Sequence, residues 1–291
     1  MMVKLDQMKK TKPLAVCVDS DGCVFDTMEV KHKECFCPAF IQAFSLQAVS
    51  KYARECWEYS NLYSASRGRH RFITLLESLD LLEARPEVAE RGFHVPEHEA
   101  LRKWLNTTKK LNNDGMLAAA QAHPEEAILQ NAYAWSLDVN RRVEELVHGV
   151  PPFPHAAERL AQISQFADIY IVSATQEAAL AREWAENGLM DIVSCVCGQE
   201  TGTKSEVIHA LTEQYEGILM VGDAPGDLKA AKENGALFYP IRPSKESESW
   251  KEMEPYIEMF KEGTYAGAAE DQQIAAFEGC LPEHPWWDEQ K

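Results

Sequence analysis

No stretch of the 291-residue chain approaches the ~18 consecutive apolar residues that a membrane-spanning helix requires. The opening segment, MMVKLDQMKKTKP, lacks the apolar centre of a secretory signal, which predicts a cytoplasmic protein. No internal repeat or low-complexity tract interrupts the sequence. Positive charge is scarce: 29 Lys and Arg stand against 46 Asp and Glu, for a net charge of −17. A field of that sign repels nucleic acid and anionic membrane over long range, so neither is an expected partner. It does not exclude a small anionic substrate, because a metal ion or a few local cations can reverse the field inside one cleft. Hydrophobic residues at 45% and charged residues at 26% exclude disorder as a description of the whole chain.

Cysteine is not scarce, but its spacing is uninformative for metal. The eight are Cys17, Cys23, Cys35, Cys37, Cys56, Cys195, Cys197 and Cys280. Without a secretion signal they read as reduced thiols. The two Cys-x-Cys pairs, at 35/37 and 195/197, are closer than zinc ligands prefer. Cys195 and Cys197 are expected on one face of a short strand, VSCVCG, as small buried hydrophobes.

The hydrophobic pattern changes twice along the chain. Residues 14–18, LAVCV, form a β-branched apolar run that stops abruptly at DSDG, which predicts a buried strand and a loop. Residues 29–148 then read as almost wholly helical. Phe36, Phe40 and Phe44 recur at i, i+4, i+8, and Phe72, Leu75, Leu76 and Leu79 make another stripe, both as core between helices. Pro38 should start or kink its helix. The stretch GVPPFP at 149–154 has the composition of a linker or hinge. After it, helices (155–165, 176–187, 204–215, 225–234) alternate with strands (167–172, 192–197, 217–221, 236–241). That alternation predicts an α/β fold, a Rossmann-like parallel sheet covered on both faces. The partners of the first strand arrive only after the helical segment. The economical organisation is therefore an α/β core at 1–27 and 153–243, interrupted by an all-helical domain at 28–152. An acidic extension at 244–291 follows, with Tyr256, Ile257, Met259, Phe260, Ile274 and Phe277 placed to dock it on the body.

Ligands in open α/β sheets gather at the carboxyl ends of the strands. There the sequence supplies Asp19 and Asp21 after the first strand, and Ser173 with Thr175 after the second. Lys204 stands ahead of a helix, and Asp223 follows GILMV with Asp227 four residues on. Asp19 and Asp21 are two apart and point to the same side of extended backbone. Such neighbours stay ionised together cheaply only with a cation between them, or else one is protonated. Hard oxygen donors without His or soft sulfur suit Mg²⁺. Ser173 at a helix start favours an anion, and Lys204 adds a point charge for phosphate. One Mg²⁺ and one phosphoryl group are the expected contents. Each residue also has a plainer reading: Asp227 or Ser173 could cap a helix, Asp26-Thr27 reads as a turn or hinge, and Lys204 alone reads as a solvated lysine.

At these residues the chain resembles the haloacid dehalogenase (HAD) superfamily of phosphatases. The marks are VDSDGCVFDT, IVSAT, TGTKSEV and MVGDAPGDLKAAKENG, in the family's order and each at the expected end of a predicted element. A lone Asp-x-Asp would be a weak signal; the four together are specific. The resemblance covers 14–27 and 153–243 and implies a helical cap inserted between the first two motifs. It implies Asp19 as nucleophile, giving an aspartyl phosphate, and Asp21 as acid and base. It implies Mg²⁺ held by Asp19, Asp223, the carbonyl of Asp21 and Asp227, with Ser173 and Lys204 on the phosphoryl oxygens. The expected activity is Mg²⁺-dependent hydrolysis of a phosphomonoester of a small metabolite. The alternatives are a sugar phosphomutase and a catalytically quiet binding protein of the same fold. Two departures stand out: Lys204 is followed by Ser-Glu where many relatives have proline, and the second motif reads Ser-Ala-Thr.

In the helical segment, SNLYSASRGRHRF at 60–72 gathers Arg67, Arg69 and Arg71 around Gly68, against the overall acidity. Three guanidinium groups there could meet a carboxylate or second phosphate of a substrate, and Tyr63 could stack or hydrogen-bond. Lys109, Lys110 and Asn112 form a second candidate.

Overall fold

The computed structural model describes residues 10–288. They fall into two compact units. One holds the chain up to Met28 together with His148–Pro282, and the other holds Glu29–Val147 together with the chain from Glu283.

The first unit is built on five parallel strands: β1 (Leu14–Val18), β2 (Ala167–Val172), β3 (Val193–Cys197), β4 (Gly217–Gly222) and β5 (Leu237–Pro240), in the order β3-β2-β1-β4-β5. Side chains alternate between two faces, as the strand period demands. Val16, Val18, Ile169, Ile171, Leu219 and Val221 fill one core cluster. Ala15, Cys17, Tyr170, Val172, Ile218 and Met220 fill the other. Helices cover both faces: Leu160, Ile163, Leu180 and Trp184 pack on the first, and Val207, Ile208, Leu211 and Ala231 on the second. Burial on both sides explains why the strands read as continuous apolar runs.

The register aligns the carboxyl ends. Val18 of β1 pairs with Ile171 of β2 and Val221 of β4, so the residues following these strands emerge at one edge. The chain runs outward from β1 through β2 to β3, then returns to β4 on the other side of β1. That reversal is a topological switch point, where such sheets open a crevice.

Two readings of the sequence need correction within this unit. The stretch GVPPFP is no free linker: the Phe153 amide donates to Val24 O at 2.8 Å, and Pro152 bridges to Phe25. These bonds tie it to the loop after β1, and the unit resumes upstream of it, at His148. Cys197 is buried, as expected, but Cys195 is only partly covered. β3 is an edge strand, and an edge shields less of its side chains. All eight cysteines are free thiols.

The acidic segment after β5 supplies core. Trp250, Met253, Ile257, Phe260 and Tyr265 join the first cluster, and Phe277 joins the second. Its last residues group with the helical unit instead: Tyr59 donates to the carbonyl of Glu283 at 2.8 Å, and the Arg85 guanidinium lies 4.4 Å from the Trp287 ring centre.

The helical unit is cored by Phe36, Phe40, Phe44, Trp57, Phe72, Leu75, Leu79 and Trp135. Trp57 and Trp135 meet edge to face at 5.7 Å, a favoured aromatic geometry. Pro38 lies in the first turn of the helix Cys37–Ala43, directly after a wider π-helical stretch at Lys31–Phe36. A proline there forfeits no regular α-helical bond. Among the described residues, no helix is long and apolar enough to cross a membrane.

Candidate active site

The loop after β1 is a tight turn. The Ser20 carbonyl accepts from the amides of Cys23, Val24 and Phe25, at 3.3, 3.0 and 3.1 Å. Gly22 adopts φ 76°, a conformation that costs glycine nothing. The turn is joined to the sheet by the Asp19 amide, which donates to Val221 O of β4 at 3.0 Å. Asp19 is thereby set at the switch point, with Asp223 emerging from β4 beside it.

Asp19, Asp223 and Asp227 are all buried, and each offers a carboxylate oxygen within 4.8 Å of the others. Asp227 belongs to the first turn of the helix Pro225–Glu233 and serves two ends. One oxygen, Oδ2, accepts from the Ala224 amide at 3.1 Å, which caps the helix. The other, Oδ1, accepts from Lys204 Nζ at 2.5 Å. Helix capping and site membership, alternatives in the sequence, coexist in one side chain. Gly222 makes this arrangement sterically feasible: a Cβ there would stand 2.4 Å from Asp227 Cγ.

Lys204 is not the solvated lysine that its sequence context alone suggests. Its ammonium bridges Asp19 Oδ2 and Asp227 Oδ1, each at 2.5 Å. Burial alone would lower its pKa, but the two carboxylates outweigh burial and hold it above the usual lysine range. The placement has a local cause. Thr203 caps the helix Lys204–Thr212 by accepting from the Glu206 amide, and Glu206 returns a carboxylate oxygen to the Thr203 amide. The Ser-Glu that follows Lys204 thus contains half of a capping box. Thr-x-x-Glu is a recognisable sequence signature, and it could have been found.

Asp19 carries the opposite shift. Burial first, then the charges of Asp227 and Asp21, push its carboxyl up to about 6 despite the attraction of Lys204. The ionised form is held at a cost here, and added positive charge would relieve it. Three buried carboxylates with hard oxygen donors, converging without His or Cys, fit a divalent cation such as Mg²⁺.

Asp21 is held apart from that cluster. Thr27 donates to its Oδ1, and Thr175 donates to its Oδ2 at 2.8 Å. Thr27 read only as part of a turn, and its role rests on a side-chain direction that spacing does not reveal. Thr175 reaches Asp21 from the loop after β2. That loop lies close against the chain after β3, where a Cβ on Gly198 would meet the Thr175 carbonyl oxygen at 2.6 Å.

Ser173 is buried at the same sheet edge. It does not cap the next helix, which begins at Glu177 with Gln176 in the cap position. Its hydroxyl instead accepts from the Thr175 amide at 3.3 Å, and its own amide donates to Cys197 O at 3.0 Å.

The arginines of the helical unit diverge in environment. Arg67 is buried and donates to Leu62 O at 2.9 Å. Arg71 donates to Ser136 Oγ at 3.1 Å and Asn140 Oδ1 at 2.7 Å, and lies over the Phe36 ring. Burial pushes its guanidinium down to about 10. Arg69 is exposed. Tyr63 donates to Glu29 at 2.5 Å and accepts from Lys33 at 3.0 Å. Asn112 of the second candidate caps the helix Asn113–Ala122 through the Gly115 amide at 2.9 Å.

Comparison with known proteins places this site in context. The sequence model of the haloacid dehalogenase-like hydrolases matches residues 14–235, a span that includes every core site residue above. No curated protein matches the chain. Among solved structures, the chain is similar to a haloacid dehalogenase-like hydrolase from Streptococcus pneumoniae, at 16% identity over 78% of this chain and 83% of that one, with a TM-score of 0.37. It is also similar to a predicted phosphoglycolate phosphatase from Haemophilus somnus, at 13% identity over 78% and 84%, with a TM-score of 0.44. A HAD-superfamily hydrolase from Geobacter sulfurreducens aligns at 16% identity over 80% and 89%, with a TM-score of 0.37.

Proposed function

The chain belongs to the haloacid dehalogenase-like hydrolase family, and from that premise we propose that it is a cytoplasmic Mg²⁺-dependent phosphatase acting on a small phosphorylated metabolite. The observation that carries the reading is the convergence of Asp19 with Asp223, Asp227 and Lys204 at the switch point of the sheet.

The chemistry follows from these side chains. A carboxylate oxygen of Asp19 attacks phosphorus in line, a new P–O bond forms, and the bond to the ester oxygen breaks. Asp21, oriented by Thr27 and Thr175, gives its proton to the departing alkoxide. The same carboxylate then takes a proton from water, whose oxygen attacks phosphorus. The acyl-phosphate P–O bond breaks, inorganic phosphate leaves, and Asp19 is restored. Lys204 and Ser173 hold the phosphoryl oxygens, where charge is spread in the transition state. Asp19, Asp223, Asp227 and the Asp21 carbonyl would hold Mg²⁺, which supplies charge that screens the carboxylates from phosphate. The helical unit would act as the substrate-selecting cap. Arg67, Arg69 and Arg71 are the candidates there for a substrate anion, and Arg69 is the exposed one of the three.

Purified protein with Mg²⁺ should release phosphate from a panel of sugar phosphates and p-nitrophenyl phosphate. Release should stop with EDTA and fall by about 10³-fold or more in Asp19→Asn. Formation of an isomeric ester without free phosphate would mark a mutase instead. No turnover on the whole panel would sink the reading.

A further inference from the structure

Between the two carboxylates of the first motif stands Ser20, a fully buried residue with every polar group engaged. Its amide donates to Asp19 Oδ1 at 2.7 Å. Its carbonyl accepts the three amides that close the turn. Its hydroxyl lies between two side chains of the helix Glu177–Glu186: Trp184 Nε1 at 3.0 Å and Glu183 Oε2 at 2.9 Å.

The directions of the two hydroxyl bonds are forced. An indole N–H can only donate, so Ser20 Oγ accepts from Trp184. The hydroxyl still has its own proton to give, and the acceptor it reaches is Glu183 Oε2. The result is a one-way chain, Trp184 to Ser20 to Glu183, with no freedom left in the hydroxyl. Trp184 is itself fixed: it is fully buried and meets Phe25 edge to face at 5.7 Å. Glu183 is steadied through its own carbonyl, which accepts from Asn187 at 2.9 Å.

A small apolar residue at position 20 would fill this buried site without asking a carboxylate to face it. A polar chain is the costlier solution in an interior. What it adds is orientation. With the Ser20 side chain locked, its peptide N–H is aimed at Asp19 Oδ1, while Lys204 takes Oδ2. The rotamer of Asp19 is thereby set from both ends.

The geometry points to Glu183 and Trp184 as positioning residues that hold Asp19 in its reactive orientation through Ser20. This assignment rests on the phosphatase reading for its kinetic consequence, but the coupling it asserts can be read without turnover. In Ser20→Ala and Glu183→Ala, kcat should fall about 10-fold or more with KM nearly unchanged, since misplacement of a reacting group acts on the chemical step. Glu183→Gln keeps an acceptor oxygen and should restore most of the rate. A merely structural role predicts lowered melting temperature in all three variants with kcat per folded molecule unchanged.

The second measurement uses the protein without substrate. Among the seven tryptophans, the indole N–H signal of Trp184 is identified in ¹⁵N-resolved NMR spectra by its loss in Trp184→Phe. It should move in Ser20→Ala, and also in Asp19→Asn, whose altered contact with the Ser20 amide feeds into the chain. An indole signal indifferent to Asp19→Asn, or a Glu183→Gln variant as impaired as Glu183→Ala, would overturn the assignment. If wild-type protein hydrolyses nothing, the phosphatase reading fails while the indole response still decides the coupling.

Discussion

Gly222 contributes to the site by what it leaves out. The carboxylate of Asp227 occupies the volume that any side chain at position 222 would need, with Oδ2 2.5 Å from where a Cβ would sit. Gly222→Ala should therefore displace Asp227 and lower kcat/KM by about 10²-fold, beyond the ~1–3 kcal/mol that overpacking costs in stability. Kinetics paired with thermal melting check this, and an unchanged rate per folded molecule would show that Asp227 is dispensable. The residues legible in the sequence were those whose chemistry is announced by position. Asp19, Asp21 and Asp223 follow apolar runs that end abruptly, and a carboxylate in such a place has few other uses. Gly222, Ser20, Thr27, Glu183 and Trp184 carry no such mark. For Gly222 and Thr27 the contribution rests on the direction of a nearby side chain, Asp227 or Asp21, and for Ser20, Glu183 and Trp184 on the approach of segments far apart in sequence. Arg67 and Arg71 show the converse, since a cluster in the sequence proved to contain side chains already engaged within their own unit.

At the scale of elements, the strand ends where the site lies are matched by an anchoring network at the opposite end of β2. Asp168, buried near the start of β2, accepts from the Thr11 hydroxyl and amide, the Lys12 amide and the Tyr215 hydroxyl. Burial raises its carboxyl pKa, but these donors outweigh burial and hold it below the ordinary value. Because the folded-state value is depressed, the ionised group adds stability at pH above the unfolded value of about 4, and that contribution is lost as pH falls through the folded value. Asp168→Asn should cost about 1–2 kcal/mol at neutral pH, and its difference from wild type should shrink in acid. Denaturant titrations at several pH values test this; a gap independent of pH would refute it. Strands and helices were legible because the alternation of short apolar runs with amphipathic segments has few structural solutions. The edge position of β3 was not, because strand order is set by pairing, and neither was the tie of 152–153 to the first loop. The tie joins segments more than a hundred residues apart, and β3 is left at the edge because the other side of its neighbour β2 is taken by the distant β1.

For the molecule as a whole, the net charge of −17 bears on encounter rather than on fold. An anionic substrate should be repelled at a distance and held only by short-range contacts within the site, such as Lys204, Ser173 and a bound Mg²⁺. With Mg²⁺ saturating, kcat/KM should rise as NaCl is increased from about 20 to about 150 mM, where the screening length shortens to about 8 Å. A fall over that range would show that local cations already steer the substrate. The topology carries a further consequence, for the making of the protein. β1 lies at the centre of the sheet, yet Leu14 pairs with Ala167 on one side and Gly217 on the other. At ribosomal rates of about 5–20 residues per second, the strand that leads into Asp19 emerges before the other four and waits roughly ten to forty seconds for its second neighbour. During that interval residues 29–147 of the helical unit are synthesised, while the segment from Glu283 that completes the unit is still to come. The apolar LAVCV run meanwhile remains without the two strands that cover its edges in the finished sheet.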